Sequence, residues 1–296
     1  MLTNPYSVLV FVMFLWTAGL VVSKLAISFM TPFELSFFRW VLCSLILFIF
    51  YYSQLRRHWH TIRENFQKLF VLGVLLALGS TFLVWSVDST TVFNASLLGA
   101  SQPLITLIIA LAIGLEIISR LQYLGILLGL AGVFILITEG NGDLIFNFKF
   151  NLGDILVLAA VLFYSLYTVC LVKWSIKIPG HIIMLTSSIS ATLTLFPLTL
   201  THSGFSIIRL WFDPVVILII FFMAVFPTAL ATSLWNKSVV NVGANKASVF
   251  INLMPVFGAL ASILIFEDQF QPFHFCGTIL VVIGVWIVAF RKDLTE

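Results

Sequence analysis

The sequence predicts an all-α polytopic membrane protein, with ten transmembrane helices arranged as two inverted five-helix repeats. Three observations lead to this. Of 296 residues, 61% are apolar and only 9% charged. The apolar residues gather into ten separate runs. The second half of the chain also repeats the first in register.

A soluble domain is about 45–50% apolar and about 25% charged, so a mean hydropathy of +1.13 excludes a cytosolic enzyme, a nucleic-acid binder and a disordered chain. A spanning helix takes ~20 apolar residues, and the runs have that length. In order they are 7–29, closed by Thr31-Pro32; 33–52, closed by a basic stretch; 68–87; 93–114; and 121–139, closed by Gly140-Asn141-Gly142-Asp143. Then come 153–173; 181–201, preceded by Pro179-Gly180; 214–235, opened by Asp213-Pro214; 244–266; and 272–290. Gly, Pro, Asn and Asp at these breaks are turn formers. Strands of a membrane barrel would be ~9–11 residues long and strictly alternating. The first run lacks a basic leader and exceeds twenty residues, so it is expected to be a span and not a signal peptide. Cys43, Cys170 and Cys276 lie singly in apolar runs, with neither metal spacing nor a disulfide framework.

Lys and Arg in short loops mark the cytoplasmic side. Arg56, Arg57, Arg63, Lys68, Arg120, Lys173, Lys177, Lys237, Lys246, Arg291 and Lys292 fall on one side of the ten runs, and Asp88, Glu139, Asp143, Asp213, Glu267 and Asp268 on the other. Both termini are therefore expected in the cytoplasm, with the chain integral to the cell membrane. The repeat shows in Ser86/Ser238, Ala95/Ala247, Ser96/Ser248, Pro103/Pro255, Gly125/Gly277, Gly132/Gly284 and Val133/Val285, each pair 152 residues apart. The expected halves are 1–140 and 150–292. Five spans is an odd number, so the second copy is inserted upside down, an arrangement found in carriers that rock about a midplane site.

Pro103 and Pro255 sit mid-run, where each removes a backbone donor and frees a carbonyl four residues earlier, at Gly99 and Ile251. Either proline alone fits a packing kink; the symmetric pair favours a binding cavity. Ionisable groups within spans point to function. Lys24 and Arg39 can receive a substrate carboxylate. Alternatively, Lys24 snorkels or pairs with Glu34, and Arg39 binds backbone carbonyls. Trp16, Tyr164 and Tyr167 are too deep for an interfacial belt, which makes them candidates for a cavity wall or for core. Trp85 lies nearer the outside and Trp235 nearer the inside. Thr81, Gln102, Thr232 and Asn252 are polar groups at depth that should face protein or water. The Ser187, Ser188, Ser190, Ala191, Thr194 stripe and Gly125-x-x-x-Gly129 read as helix contacts. No Walker loop, zinc-protease helix or nucleophile elbow occurs, which argues against a pump or hydrolase. No metal or cofactor is expected.

In the order of these motifs the chain resembles the drug/metabolite transporter superfamily, in its EamA-type ten-helix branch. The first run has Trp16-Thr17-Ala18-Gly19 and then Lys24, followed by Pro32 and Arg39. Asn94-Ala95-Ser96 lead to Pro103, then Glu116, Gly125 and Gly132. The second half has Gly153-Asp154, Ala247-Ser248 to Pro255, Glu267, Gly277 and Gly284. Tyr164 stands where the pattern often has tryptophan. The resemblance implies a secondary transporter of small metabolites, with amino acids or related compounds as the leading expectation, moved outward by alternating access as in other exporters of the group. The alternative is uptake or exchange of a nucleoside-like or cationic metabolite such as S-adenosylmethionine. The expected partners are a small-molecule substrate and the lipid bilayer, with no nucleic acid.

Overall fold

The computed structural model of the chain describes residues 4–90, 95, 98–115, 119–138, 151–202, 213–265 and 271–290. Regular structure among them is entirely helical: α1 (Pro5–Ala26), α2 (Pro32–Arg57), α3 (Trp59–Glu64), α4 (Phe66–Ser89), α5 (Gln102–Ala112), α6 (Arg120–Ile137), α7 (Leu152–Trp174) and α8 (Gly180–His202), then α9 (Pro214–Met223), a π-helical stretch (Ala224–Leu230), α10 (Ala231–Val242), α11 (Ala244–Ser248), a 3-10 turn (Val249–Asn252), α12 (Leu253–Ile265) and α13 (Pro272–Phe290). Eight described helices are long and apolar enough to cross a membrane, Pro214–Val242 counting as one. The fourth and ninth apolar runs hold the shorter α5 and α12. The stretch read as a basic loop after the second run contains α3. Asn94, Ser96, Glu116, Glu139, Asp143, Glu267, Asp268, Arg291 and Lys292 lie outside the described residues.

The helix starts are closed by side chains, because the first N–H groups of a helix have no partner of their own. Thr31 with Glu34, Ser119 with Gln122, and Asn151 with Asp154 form reciprocal capping boxes. Asn4 caps α1 and Asp213 caps α9. The Asp154 carboxylate also accepts from the Thr90 hydroxyl, tying the end of α4 to the start of α7. The outer surface carries large apolar side chains, with Ile49 and Phe50 each 74% exposed. A contiguous apolar exterior of this kind is the lipid-facing surface of a membrane protein.

Small residues set the closest helix approaches. α6 and α13 pack antiparallel. A methyl added at Gly284 would lie 2.5 Å from the Gly125 carbonyl oxygen, and one at Gly132 would lie 2.6 Å from the Gly277 oxygen. The 152-residue offset maps Gly125 onto Gly277 and Gly132 onto Gly284, so the self-match exchanges these two contacts. Gly73 of α4 likewise fits against Ser190 and the Ser187 carbonyl of α8, so the serine stripe of the seventh run is in contact with a neighbouring helix. Basic residues also collect at one end. His181 at the start of α8 bonds Gln54 near the end of α2 at 2.7 Å, and Gly180 abuts the Lys237 backbone of α10. Arg56, Arg57, Lys177 and Lys237 therefore belong to that same end.

A methyl at Gly284 meets rigid backbone, so Gly284→Ala should destabilise the solubilised protein by about 1–3 kcal/mol. Gly258→Ala in α12, with nothing within 4 Å of the added methyl, should leave the thermal midpoint unchanged. Equal midpoints for the two variants would remove the glycine contact as the determinant of α6–α13 packing.

Candidate transport site between the interrupted helices

The eighth run contains a proline that the repeat-based reading passed over. Pro227 has no N–H to give, and the helix widens into the π-helical turn Ala224–Leu230 around it. A hydroxyl takes the freed carbonyl, Thr228 Oγ1 donating to the Met223 oxygen at 2.6 Å, and Thr232 Oγ1 donates to the Pro227 oxygen at 3.4 Å. Trp16 Nε1 also donates to the Pro227 oxygen, at 3.0 Å. One turn further along α1, Gly19 permits this approach, since a methyl there would lie 2.9 Å from Pro227 Cβ. The half-buried Trp16 ring lies 5.0 Å from the buried Trp235 ring. The Thr17 hydroxyl donates to the Met13 oxygen at 2.9 Å and reaches the Met254 oxygen, just before Pro255, at 3.5 Å. α1 thus touches both the π-helical turn and the break in the ninth run.

The predicted proline pair behaves alike in the two halves. Pro103 is the second residue of α5, directly after a turn at Ala100–Ser101. Pro255 is the third residue of α12, directly after the 3-10 turn Val249–Asn252. Both prolines begin a new helical segment, where a missing N–H costs least, instead of bending a continuous helix.

A second group of predicted residues converges from α2, α4 and α7. Arg39 is buried at 7% exposure, with its Cζ 5.6 Å from the Trp40 ring centroid. Trp40 Nε1 donates to Ser80 Oγ at 3.1 Å. Tyr164 of α7 lies near Arg39, and its ring lies over Gly79, 3.3 Å from where a methyl would project. Thr81, beside Ser80, is buried with an unpartnered hydroxyl.

The remaining predicted residues lie elsewhere. The Tyr167 hydroxyl donates to Asn236 Oδ1, and the Asn236 amide in turn donates to the Gly180 oxygen at 3.5 Å. Tyr167 is therefore a tie between α7 and α10. Asn252 is fully buried with both side-chain atoms unpartnered, and its amide sits in the notch left by Gly129 of α6. Gln102 is buried beside Ser165, whose hydroxyl reaches the Gln102 backbone oxygen at 3.5 Å and accepts from Thr106 at 3.1 Å. Trp85 joins Phe33 and His202 in an aromatic cluster at the end of α8. Lys24 is exposed near the end of α1, two turns beyond Trp16. Pro227 and Gly19 were legible as a mid-run proline and a small residue one turn from a buried tryptophan; their meeting was not. Among the described residues, no group of three or more His, Cys, Asp or Glu is placed to hold a metal ion.

This architecture defines a polytopic helical membrane protein of the transporter class. The EamA-like transporter family matches residues 4–138 and 151–290, and the chain belongs to that family, within the drug/metabolite transporter superfamily. It is 23% identical over 292 residues to an uncharacterized transporter of Archaeoglobus fulgidus, covering 98% of this chain and 99% of the other. It is 28% identical over 231 residues to the uncharacterized transporter YyaM of Bacillus subtilis, covering 76% and 73%. Identity to YetK, another uncharacterized transporter of that bacterium, is 25% over 289 residues, covering 93% and 83%. A solved crystal structure shares the fold with a TM-score of 0.76 at 17% identity, over 96% of this chain and 95% of the other.

Trp16→Phe keeps the ring and removes the donor to Pro227. It should cost about 0.5–1.5 kcal/mol of stability, the worth of one intramolecular hydrogen bond, read as a lowered thermal midpoint. An unchanged midpoint would mean that the contact contributes nothing to the seating of α1.

Proposed function

We propose that the protein is a secondary carrier that moves small metabolites, amino acids or related compounds foremost, outward across the cell membrane by alternating access. The observation that carries this reading is the pair of interruptions before Pro103 and Pro255. Helices broken at repeat-related positions expose backbone groups at depth, and such groups are tolerated in a bilayer only where protein or a water-filled cavity covers them. Reciprocal Gly125–Gly284 and Gly132–Gly277 contacts support two inverted five-helix halves, 1–140 and 150–292, related by a two-fold axis between α6 and α13. Two such halves can rock about a common site. Trp16 and Thr232 beside the π-helical turn, and Tyr164 and Thr81 beside Arg39, offer a solute the mixture of aromatic surface and hydroxyls usual in small-molecule sites. The basic cluster at the α2–α8–α10 end supports cytoplasmic termini.

Reconstituted protein should show saturable counterflow of amino acids in proteoliposomes. Pro103→Ala with Pro255→Ala restores two backbone donors and should slow exchange roughly tenfold, about 1.4 kcal/mol in the barrier. Undiminished exchange in the correctly inserted double variant would assign both prolines to packing. A C-terminal reporter active only outside the cytoplasm should remain silent, and its activity would reverse the orientation.

A further inference from the structure

Three charged residues are buried among the described residues: Glu34, Asp154 and Arg39. Both acids are committed at helix starts. Glu34 Oε2 accepts from the Thr31 N–H at 3.0 Å and hydroxyl at 2.9 Å. Asp154 accepts from the Asn151 N–H at 2.8 Å and from the Thr90 hydroxyl. Arg39 is different. Its Nε and Nη2 are buried with no hydrogen-bond partner among the described residues, and the titratable groups near it there are Tyr164 and Cys43, neither of them a carboxylate. The Trp40 ring beside it softens the charge without neutralising it. A buried guanidinium lacking both a counter-charge and hydrogen bonds is unstable unless something arrives to complete it.

The open atoms say what fits. Nε and Nη2 are the two donors on one edge of the guanidinium, spaced to meet the two oxygens of a carboxylate. Buried hydroxyls without partners among the described residues accompany it: Ser36 lies one turn earlier on the same face of α2, and Thr81 on α4 follows the Ser80 that Trp40 bonds. Each can donate to an anion. No second buried Lys or Arg accompanies Arg39 among the described residues, so the site balances one negative charge and not the two of a phosphate.

We propose that the open edge of Arg39 anchors the carboxylate of the transported solute, so that the substrates are carboxylate-bearing solutes with one such group at this site, amino acids and short 2-oxo acids among them, and not cationic, uncharged or phosphorylated metabolites. This rests on the carrier reading above.

The test compares solutes differing only at that group: proteinogenic amino acids and short 2-oxo acids against the matching amides and decarboxylated amines, with sugar phosphates as a further arm. Thermal midpoints of the solubilised wild-type protein report binding, and competition in counterflow reports transport. The acids should raise the midpoint, and the amides, amines and phosphates should not. Arg39→Gln should weaken the response to acids roughly 10- to 100-fold, the worth of a charge-assisted bond, with Arg39→Lys in between. Absence of any response to acids, equal protection by amides, amines or phosphates, or an Arg39→Gln protein that still separates acid from amide would each overturn the anchor. The wild-type comparison decides even where Arg39→Gln does not fold. The two readings fail separately. Selective acid binding without counterflow removes the carrier and leaves the anchor; counterflow with no acid preference removes the anchor and leaves the carrier.

Discussion

In hydrocarbon no water is available to an open backbone N–H or C=O, so every break in a spanning helix has to be covered by the protein or by a solvent-filled space. The rest of this structure depends on that constraint. Uninterrupted helices such as α2 and α7 satisfy themselves and need only caps at their ends. The interrupted runs need neighbours. The π-helical turn at Pro227 is closed by the hydroxyls of Thr228 and Thr232 and by the Trp16 indole, and the break before Pro255 receives Thr17. α1 is the element that serves both.

Charge is distributed under the same constraint. A carboxylate is kept inside only where several donors converge on it, and both buried acids sit at helix N-termini, where backbone N–H groups and the helix dipole favour negative charge. Arg39 has no such arrangement. Lys24, the other cation in the early spans, avoids the cost by lying on the exposed face of α1, where a long stem can carry the ammonium toward the headgroups. Two residues that look equivalent in the sequence are thus separated by a rotation around their helices.

Helix contacts follow size. With apolar surface available on every side, burial gives little preference for one neighbour over another, and close backbone approach decides the pairing. Glycines at 125, 129 and 132 form a groove that meets Gly277 and Gly284 on its neighbour and also takes in the Asn252 amide. Depth and polarity alone place Asn252 against protein or water, and its amide meets Gly129. Polarity at depth says that a group faces protein or water, and only packing tells which.

The sequence by itself determined the membrane class, the helical state, the places where most helices begin and end, the proline-marked interruptions and the pairing of glycines across the repeat. These follow from composition, run length and local cap chemistry, which act over a few neighbouring residues. The tertiary structure decided which side of each helix faces inward. It brought Trp16 to Pro227, turned Tyr167 toward Asn236, turned Lys24 outward, and left Arg39 buried with an unfilled edge. In a soluble helix the polar face reveals that direction. Here both faces are apolar, so helix rotation is set by shape complementarity between elements far apart in the chain, which no local pattern encodes.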